Sequence, residues 1–388
     1  LIMSRNRVIY QSEGLYVSSN ASVTGASDHE QLNRLQSANY SFTINRQDVN
    51  QFGDLARIDS LVLEPPTVNL DFSYYLTDGF NERALGFFVQ TTGVAMNRGN
   101  AGTANSSGNF GSGHLIASSG ANFYIATSPD GIDLNQTGIG EELNTSDRVI
   151  GVGNCYVSDY SVELAVGSLP TVNVTVEGAN MNSAEFDSIG SIPSPAINQT
   201  AGTVIPDRVK LPNPTEDGGI TGTLGSGTIT ALRPGDVTLD LTAIDGVSLV
   251  KLDGSDGAHI QSASISLPLS RTPIDRLGSR FPFAREVDFP VTATLNVSAI
   301  VAETQQANLA DLLNSGVQEA SILVKDTQGS EAIQYKMKGL KVDSQSFSSS
   351  IGSNKTVDIT FSTQIGGPND KVNGLFMSGI NGQNKVFV

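Results

Sequence analysis

The chain has 388 residues, which is enough for two or three domains of ordinary size. Its 39 acidic and 23 basic side chains give a formal net charge of -16, which opposes contact with phosphate backbones and disfavours a conventional nucleic-acid-binding protein. Charged residues are only 16% of the chain, so we expect a neutral-polar surface. No apolar run approaches the roughly 18 residues of a membrane-spanning helix, and we expect no membrane insertion.

Patterns typical of β-strands dominate the chain. Apolar and polar residues alternate with period two, as they do in half-buried antiparallel strands. Helical spacing is confined to two short segments, residues 81–88 and 303–314, and residues 167–170 have the composition of a hairpin turn. The clearest predicted strands, in chain order, are residues 161–166, 171–176, 237–241, 264–267 and 357–361. The sequence therefore predicts a mainly β protein.

The sequence contains an internal repeat. Residues 36–46 match residues 261–271 in a register that continues without a gap, so that Gly53 falls on Gly278 and Leu70 on Leu295. The number of identities between residues 36 and 72 exceeds what chance would give. We interpret this as a tandem duplication.

A second matching block follows the first in each copy. Gly167 falls on Gly352 and Thr175 on Thr360, so the predicted hairpin recurs as well. The two helical segments also correspond, because each follows the last strand of the first block. Each copy therefore has the order strands, helix, strands.

These matches divide the chain into two similar β units. We predict a first domain over residues 1–178 and a second over residues 222–388 with a C-terminal tail, each a β-sandwich or barrel with a short flanking helix. The first carries a Gly/Ser/Asn-rich loop insertion at about residues 97–113. Residues 179–221 are rich in proline and glycine, and we predict an extended linker there.

No group of residues has a spacing typical of catalysis or metal binding. His29, His114 and His259 are far apart, and none lies in a metal-ligand motif. The single cysteine, Cys155, excludes an intrachain disulfide; because it aligns with Leu340, we predict a buried hydrophobic role for it. We predict no catalytic residues, no metal and no cofactor, and we expect a structural protein rather than an enzyme.

Four residues shared by the copies allow two interpretations. Arg46 and Arg271 each close a β segment and stand seven residues before Gly53 and Gly278. One interpretation is an assembly interface, where an arginine binds a carboxylate with both nitrogens and a glycine permits close backbone approach. The other is that each pair ends a strand and shapes a loop within its own domain.

With these features the sequence resembles the major tail tube proteins of tailed bacteriophages. The resemblance lies in residues 41–46 and 267–271, in the turns at Gly53 and Gly278, and in the hairpin blocks 157–176 and 342–361. It implies one tube domain per copy. It also implies the duplicated type found in long non-contractile tails, in which three chains form a pseudo-hexameric ring and the rings stack into a tube.

The resemblance implies the partners and the location. The chain would bind itself within and between rings, and would contact the tape measure, the tail terminator and the tail-tip or baseplate initiator. It would be made in the host bacterial cytoplasm and reside in the virion. Genomic DNA would pass through the lumen without specific binding, repelled by an acidic wall for which Asp159, Glu163 and Asp358 are candidates.

Two other functions stay open at this level. The first is a receptor-binding or adhesin module made of two β-sandwiches, with the loop at residues 99–113 as its recognition surface. The second is a glycan-active enzyme whose acid pair is distant in sequence. Assembly distinguishes them, because a tube protein forms rings or polymers, an adhesin binds a ligand as a discrete oligomer, and an enzyme turns over a substrate.

Overall fold

The computed structural model describes a large part of the chain. The described residues are 13–18, 29–91, 120–128, 134, 148–187, 190–199, 201–212, 232, 235, 237–240, 259–301, 318–325, 331–367, 370 and 372–379. The predicted insertion at residues 97–113 and the predicted helix at residues 303–314 lie outside them.

The described residues form twenty-four strands and one short helix, α1, Phe80–Ala84. The strands of the first half of the chain are β1 Glu13–Ser18, β2 His29–Gln31, β3 Leu35–Thr43, β4 Arg46–Val49, β5 Asp59–Val62, β6 Thr67–Tyr75, β7 Val89–Thr91, β8 Ala121–Thr127, β9 Arg148–Ala165, β10 Thr171–Gly178, β11 Asn180–Glu185 and β12 Ser191–Pro193. Those of the second half are β13 Ile197–Asn198, β14 Thr203–Val204, β15 Arg208–Lys210, β16 Val237–Asp240, β17 His259–Pro268, β18 Arg271–Ile274, β19 Ala284–Val287, β20 Val291–Ile300, β21 Gln318–Lys325, β22 Glu331–Ser348, β23 Thr356–Ile365 and β24 Gly374–Gly379.

The prediction of a mainly β protein is confirmed. The predicted strands overlap β9, β10, β16, β17 and β23; residue 166 lies just beyond the end of β9, and residue 241 lies outside the described residues. The hairpin between β9 and β10 turns at Gly167, whose φ of 87° lies in the left-handed region that favours glycine. Alternation in the sequence becomes alternation in burial, because successive side chains of β10 point to opposite faces of the sheet.

The helix α1 is shorter than the sequence predicts. Gly79 and Gly86 flank it, both with positive φ, and Asp78 accepts a hydrogen bond from the Phe80 N–H at 3.1 Å. Gly86 turns the chain away from the helix before the predicted end at residue 88. The helix packs its buried residues, among them Phe80 and Ala84, into the core.

Two sets of four antiparallel strands have the same order. The first strand set is β3-β6-β10-β9 and the second is β17-β20-β23-β22. Their registers correspond as well: Thr171 pairs with Glu163 in the first set, and Thr356 with Ser348 in the second. Both sets have a register shift at the same place, beside Thr175 and beside Thr360. The repeat seen in the sequence is thus reproduced in the strand pairing.

The two strand sets are joined side by side. Strand β9 at the end of the first set pairs with β17 at the start of the second, which gives one antiparallel sheet with the order β22-β23-β20-β17-β9-β10-β6-β3. The 18-residue strands β9 and β22 extend beyond it. Their N-terminal halves pair with β8 and β11 in one case and with β21 and β24 in the other.

One hydrophobic core covers one face of the joined sheet. It contains Val162 and Leu295 from the two strand sets, Phe87 after α1, and Tyr335 from the N-terminal half of β22. Cys155 and its counterpart Leu340 are both buried in it, as the sequence predicts. Burial raises the pKa of the Cys155 thiol far above its usual value.

The segment predicted as a linker carries regular structure in its described part. Strand β11 pairs with β9, and β12 to β15 form two small two-stranded sheets. Ile192, Val209 and Leu211 from this segment are buried in a second hydrophobic cluster. Strands of two or three residues are too short to give a periodic pattern, so the prolines and glycines were the stronger signal in the sequence. In the part of the chain described, no helix is long and apolar enough to span a membrane.

Candidate assembly surfaces

The junction between the strand sets shows how one repeat binds the next. Strands β9 and β17 pair over seven residues, with Ile265 opposite Val162 and Leu267 opposite Tyr160. All four side chains face the core and are 0% exposed. The junction therefore combines a ladder of backbone hydrogen bonds with complete burial of apolar pairs on one face.

Further contacts extend this junction. At its two ends the Val166 N–H donates to the Gln261 carbonyl at 2.9 Å and the Leu269 N–H to the Ser158 carbonyl at 2.8 Å. The hairpin β18–β19 of the second repeat also lies against the first repeat. There Arg285 Nη1 is 3.3 Å from Glu177 Oε2 on β10.

Arg271 begins β18 and lies at this junction. Its guanidinium carbon Cζ lies 4.6 Å from the centroid of the Tyr156 ring, and its Nη1 donates a hydrogen bond to the Arg285 carbonyl at 3.0 Å. Burial lowers the pKa of Arg271. Its sequence counterpart Arg46 begins β4 and is exposed. Arg271 thus contacts the other repeat of its own chain, whereas Arg46 has no second repeat beside it among the described residues.

Gly53 and Gly278 lie in the loops of the equivalent hairpins β4–β5 and β18–β19. Their φ angles are 98° and 86°, and a Cβ atom at either position would meet nothing within 4 Å in the described chain. Glycine is therefore required here by backbone conformation and not by close packing within the chain. Neither residue contributes directly to the internal junction.

Each end of the joined sheet has an unpaired edge in the described part of the chain. Strand β3 pairs with β6 on one side, and residues 341–348 of β22 pair with β23 on one side. Aromatic side chains on these edges are exposed: Tyr40 is 37% exposed, Phe42 59% and Phe347 40%. Apolar side chains on an unpaired strand edge are typical of a surface that another strand covers.

The face of the joined sheet opposite the core is lined with short polar side chains. We call it the polar face; the side chains on it include Ser37, Asn39, Ser41, Ser73, Ser161, Asn173, Ser264, Ser266, Asn296, Ser298, Ser346 and Thr360. The side chains named here are small and uncharged, and they leave little apolar area on this face.

All three acidic candidates lie on the polar face. Asp159 is opposite Thr175, Glu163 is opposite Ser264, and Asp358 is opposite Ser298. Glu163 and Asp358 are exposed and line the same shallow groove, while Asp159 is half-buried. Partial burial raises the pKa of Asp159, and the hydrogen bond from the Tyr160 N–H acts in the opposite direction.

Sequence reasoning missed the exposed edge aromatics. A signal for them was present: Tyr40 and Phe42 occupy the repeat positions of Ile265 and Leu267, and Phe347 that of Val162. Period-two alternation marks all of these positions as core-facing. The sequence does not say which of the equivalent strands lacks a neighbour.

No protein-family model matches this chain, and no curated protein has a matching sequence. The internal repeat is therefore the comparison that carries most information, because one copy shows how the other can be bound.

Proposed function

We propose that this chain is the structural protein of a bacteriophage tail tube. In this proposal each repeat is one tube domain, the first of them flanked by α1, and the two form a tandem pair. Three chains close into a pseudo-hexameric ring, and the rings stack into the tube of a long non-contractile tail. The chain is then a component of the virion and not an enzyme.

One observation carries the proposal. Two strand sets with the same register bind edge to edge within one chain, and the corresponding edge at each end is unpaired among the described residues. A unit that binds its own copy head to tail forms either a closed ring or an open filament. Closure leaves no strand edge exposed, which favours the ring.

The polar face supports the lumen assignment. In a ring built from joined sheets, one face of every sheet points inward and the other carries the core. Asp159, Glu163 and Asp358 on that face give the wall a negative potential, which repels the phosphates of passing DNA. The tape measure, the tail terminator and the tail-tip initiator are the other partners of such a protein.

Electron microscopy of the purified chain at high concentration tests this function. We expect rings or tubes with an open channel, three chains per ring and a pseudo-sixfold outline in class averages. A closed oligomer without a channel that binds a cell-surface ligand would overturn the proposal in favour of an adhesin. Turnover of a glycan substrate would overturn it in favour of an enzyme.

A further inference from the structure

We propose that β3 of one chain pairs antiparallel with residues 341–348 of β22 in the next chain, in the register set by the internal junction. This inference rests on the proposed function and specifies its chain-to-chain contact. The partner is a second copy of this chain. The contact places Tyr40 opposite Phe347 and Ser41 opposite Ser346.

The register follows from the strand pairing inside the chain. Strand β3 has the same pairing with β6 as β17 has with β20, including a register shift at the same position. Residues 342–348 of β22 have the same pairing with β23 as β9 has with β10. In the internal junction Ser266 lies opposite Ser161 and Ile265 opposite Val162. The equivalent positions on the unpaired edges give the register stated above.

Burial supports the same pairing. Tyr40 and Phe347 take the places of Ile265 and Val162, which are 0% exposed in the internal junction. In the single chain these two aromatic side chains are 37% and 40% exposed. Pairing across chains covers both of them, and aromatic pairs across antiparallel strands are favourable.

The opposite face of the new junction continues the polar face. Ser37, Asn39 and Ser41 on β3 come to lie beside Ser346 and Ser348 on β22. These side chains match the small polar residues of the internal junction, among which are Ser262, Ser264 and Ser266. A slip of one residue would turn the aromatic side chains toward this polar surface, so the alternation of side chains fixes the register.

Disulfide trapping between two single-cysteine additions tests the proposal. Ser41→Cys in one preparation is mixed with Ser346→Cys in another, and the mixture is oxidised. A covalent dimer is expected, because residues directly opposite on paired strands have the Cα separation that a disulfide needs. The native Cys155 is buried and can remain.

The matched control moves one cysteine by two residues on the same face. Ser41→Cys mixed with Ser348→Cys separates the two positions by about 7 Å along the strand, beyond ordinary disulfide reach, so we expect at least about fivefold less dimer. Equal yields from both mixtures, or no dimer from either at concentrations where rings form, would overturn the proposed register.

The outcomes for the contact and for the function can be told apart. In-register dimers together with rings that never stack into tubes would support the contact and contradict the tail tube function. Tubes without in-register dimers would support the tail tube function and contradict the proposed contact. Tyr40→Lys provides a second measurement, since a lysine on this edge should prevent rings while the chain stays folded, as Tyr40 is already partly exposed.

Discussion

Glu82 is a buried carboxyl group between the two repeats. The Tyr74 hydroxyl donates to its Oε1 at 2.8 Å and the Tyr160 hydroxyl at 3.2 Å, while the hydroxyls of Tyr160 and Tyr335 are 3.1 Å apart. The pKa of Glu82 is raised to about 7, because the effect of burial is larger than the lowering caused by the hydrogen bonds from the two tyrosines. The charge of Asp78 also raises the pKa. Strands β6, β9 and β22 therefore meet around one titratable group.

This cluster makes stability depend on pH. The folded state holds the Glu82 proton more tightly than the unfolded state, so the free energy of unfolding falls as the pH rises from about 4.5 to 7. At 1.36 kcal/mol per pKa unit the loss is on the order of 3 kcal/mol. Glu82→Gln keeps an acceptor for Tyr74 and removes the titration. We expect the variant to gain stability relative to the parent as the pH rises through this window, as measured by chemical denaturation at pH 4.5, 6 and 8.

Glu163→Gln is the matched control for this prediction. Glu163 is exposed on β9 and lies outside the buried cluster, so the same substitution there leaves the cluster intact. If the stability difference between Glu82→Gln and the parent changes with pH no more than that between Glu163→Gln and the parent, the Glu82 cluster does not control the pH dependence.

Glu163 also provides a test of the wall of the proposed tube. Glu163→Lys changes the charge on the polar face without disturbing buried residues, because this side chain is exposed. We expect tubes to form normally but to retain linear DNA at low salt and release it at high salt, since a basic wall attracts phosphates. DNA that sediments with assembled tubes measures the effect.

Glu331→Lys makes the same charge change away from the polar face. Glu331 is exposed at the start of β22, in the half of that strand that pairs with β21. Tubes of the Glu331→Lys variant should retain no more DNA than tubes of the parent protein. Equal retention by both variants would show that net charge, and not the charge of the polar face, determines DNA contact.

At the scale of single elements, the hairpin β18–β19 holds the two repeats together through a partly buried ion pair. Arg285 is 8% exposed and Glu177 is about half-buried, so solvent screens the pair only in part. We expect a double-mutant cycle with Arg285→Met and Glu177→Gln to give a coupling free energy of about 1 kcal/mol. Denaturant unfolding of the four proteins measures it.

The equivalent hairpin β4–β5 supplies a control pair. Arg57 and Asp48 are 3.0 Å apart, and both are largely exposed. Their cycle, with Arg57→Met and Asp48→Asn, should give a coupling of about 0.3 kcal/mol or less. A coupling at Arg285 that is no larger than this would mean that the hairpin contact between repeats adds little to stability.

The sequence predicted those elements whose burial alternates. Strands β9, β10, β17 and β23 have one face in the core, so apolar and polar residues alternate along their sequences. The internal repeat could be recognised in the sequence because both copies bury the same positions. Strands β12 to β15 could not be predicted, because two or three residues carry no period. The burial of Glu82 depends on tyrosines from three distant strands, and no local pattern reports it.

The same limit applies to the assembly surfaces. The acidic candidates could be placed on one face because alternation fixes the face of each residue. The unpaired edges could not be found in this way, because Tyr40 and Ile265 have the same pattern although only the latter has a neighbouring strand within the chain. Strand order is decided by pairing between residues far apart in sequence.

At the scale of the whole molecule, each chain provides eight strands to one joined sheet and two equivalent junction surfaces. Formation of the internal junction does not depend on protein concentration, because both of its strands belong to one chain. Duplication therefore halves the number of junctions that depend on protein concentration, from six to three in the proposed pseudo-hexameric ring. A ring of three double units is then easier to close than one of six single units.

If the chains close into a ring, the series of disulfide-linked species on a denaturing gel should end at the number of chains in the ring. A chain that carries both Ser41→Cys and Ser346→Cys has one half of the trapped contact at each end of its joined sheet. On oxidation of assembled protein we expect species of one, two and three chain masses on a denaturing gel, with the trimer as the final product, because a closed ring leaves no cysteine of the pair free. A ladder that continues to higher masses would indicate an open helical filament, and one that ends at another number would give a different ring order. The out-of-register chain with Ser41→Cys and Ser348→Cys should give little above the monomer, which confirms that the ladder reports the strand contact and not random oxidation.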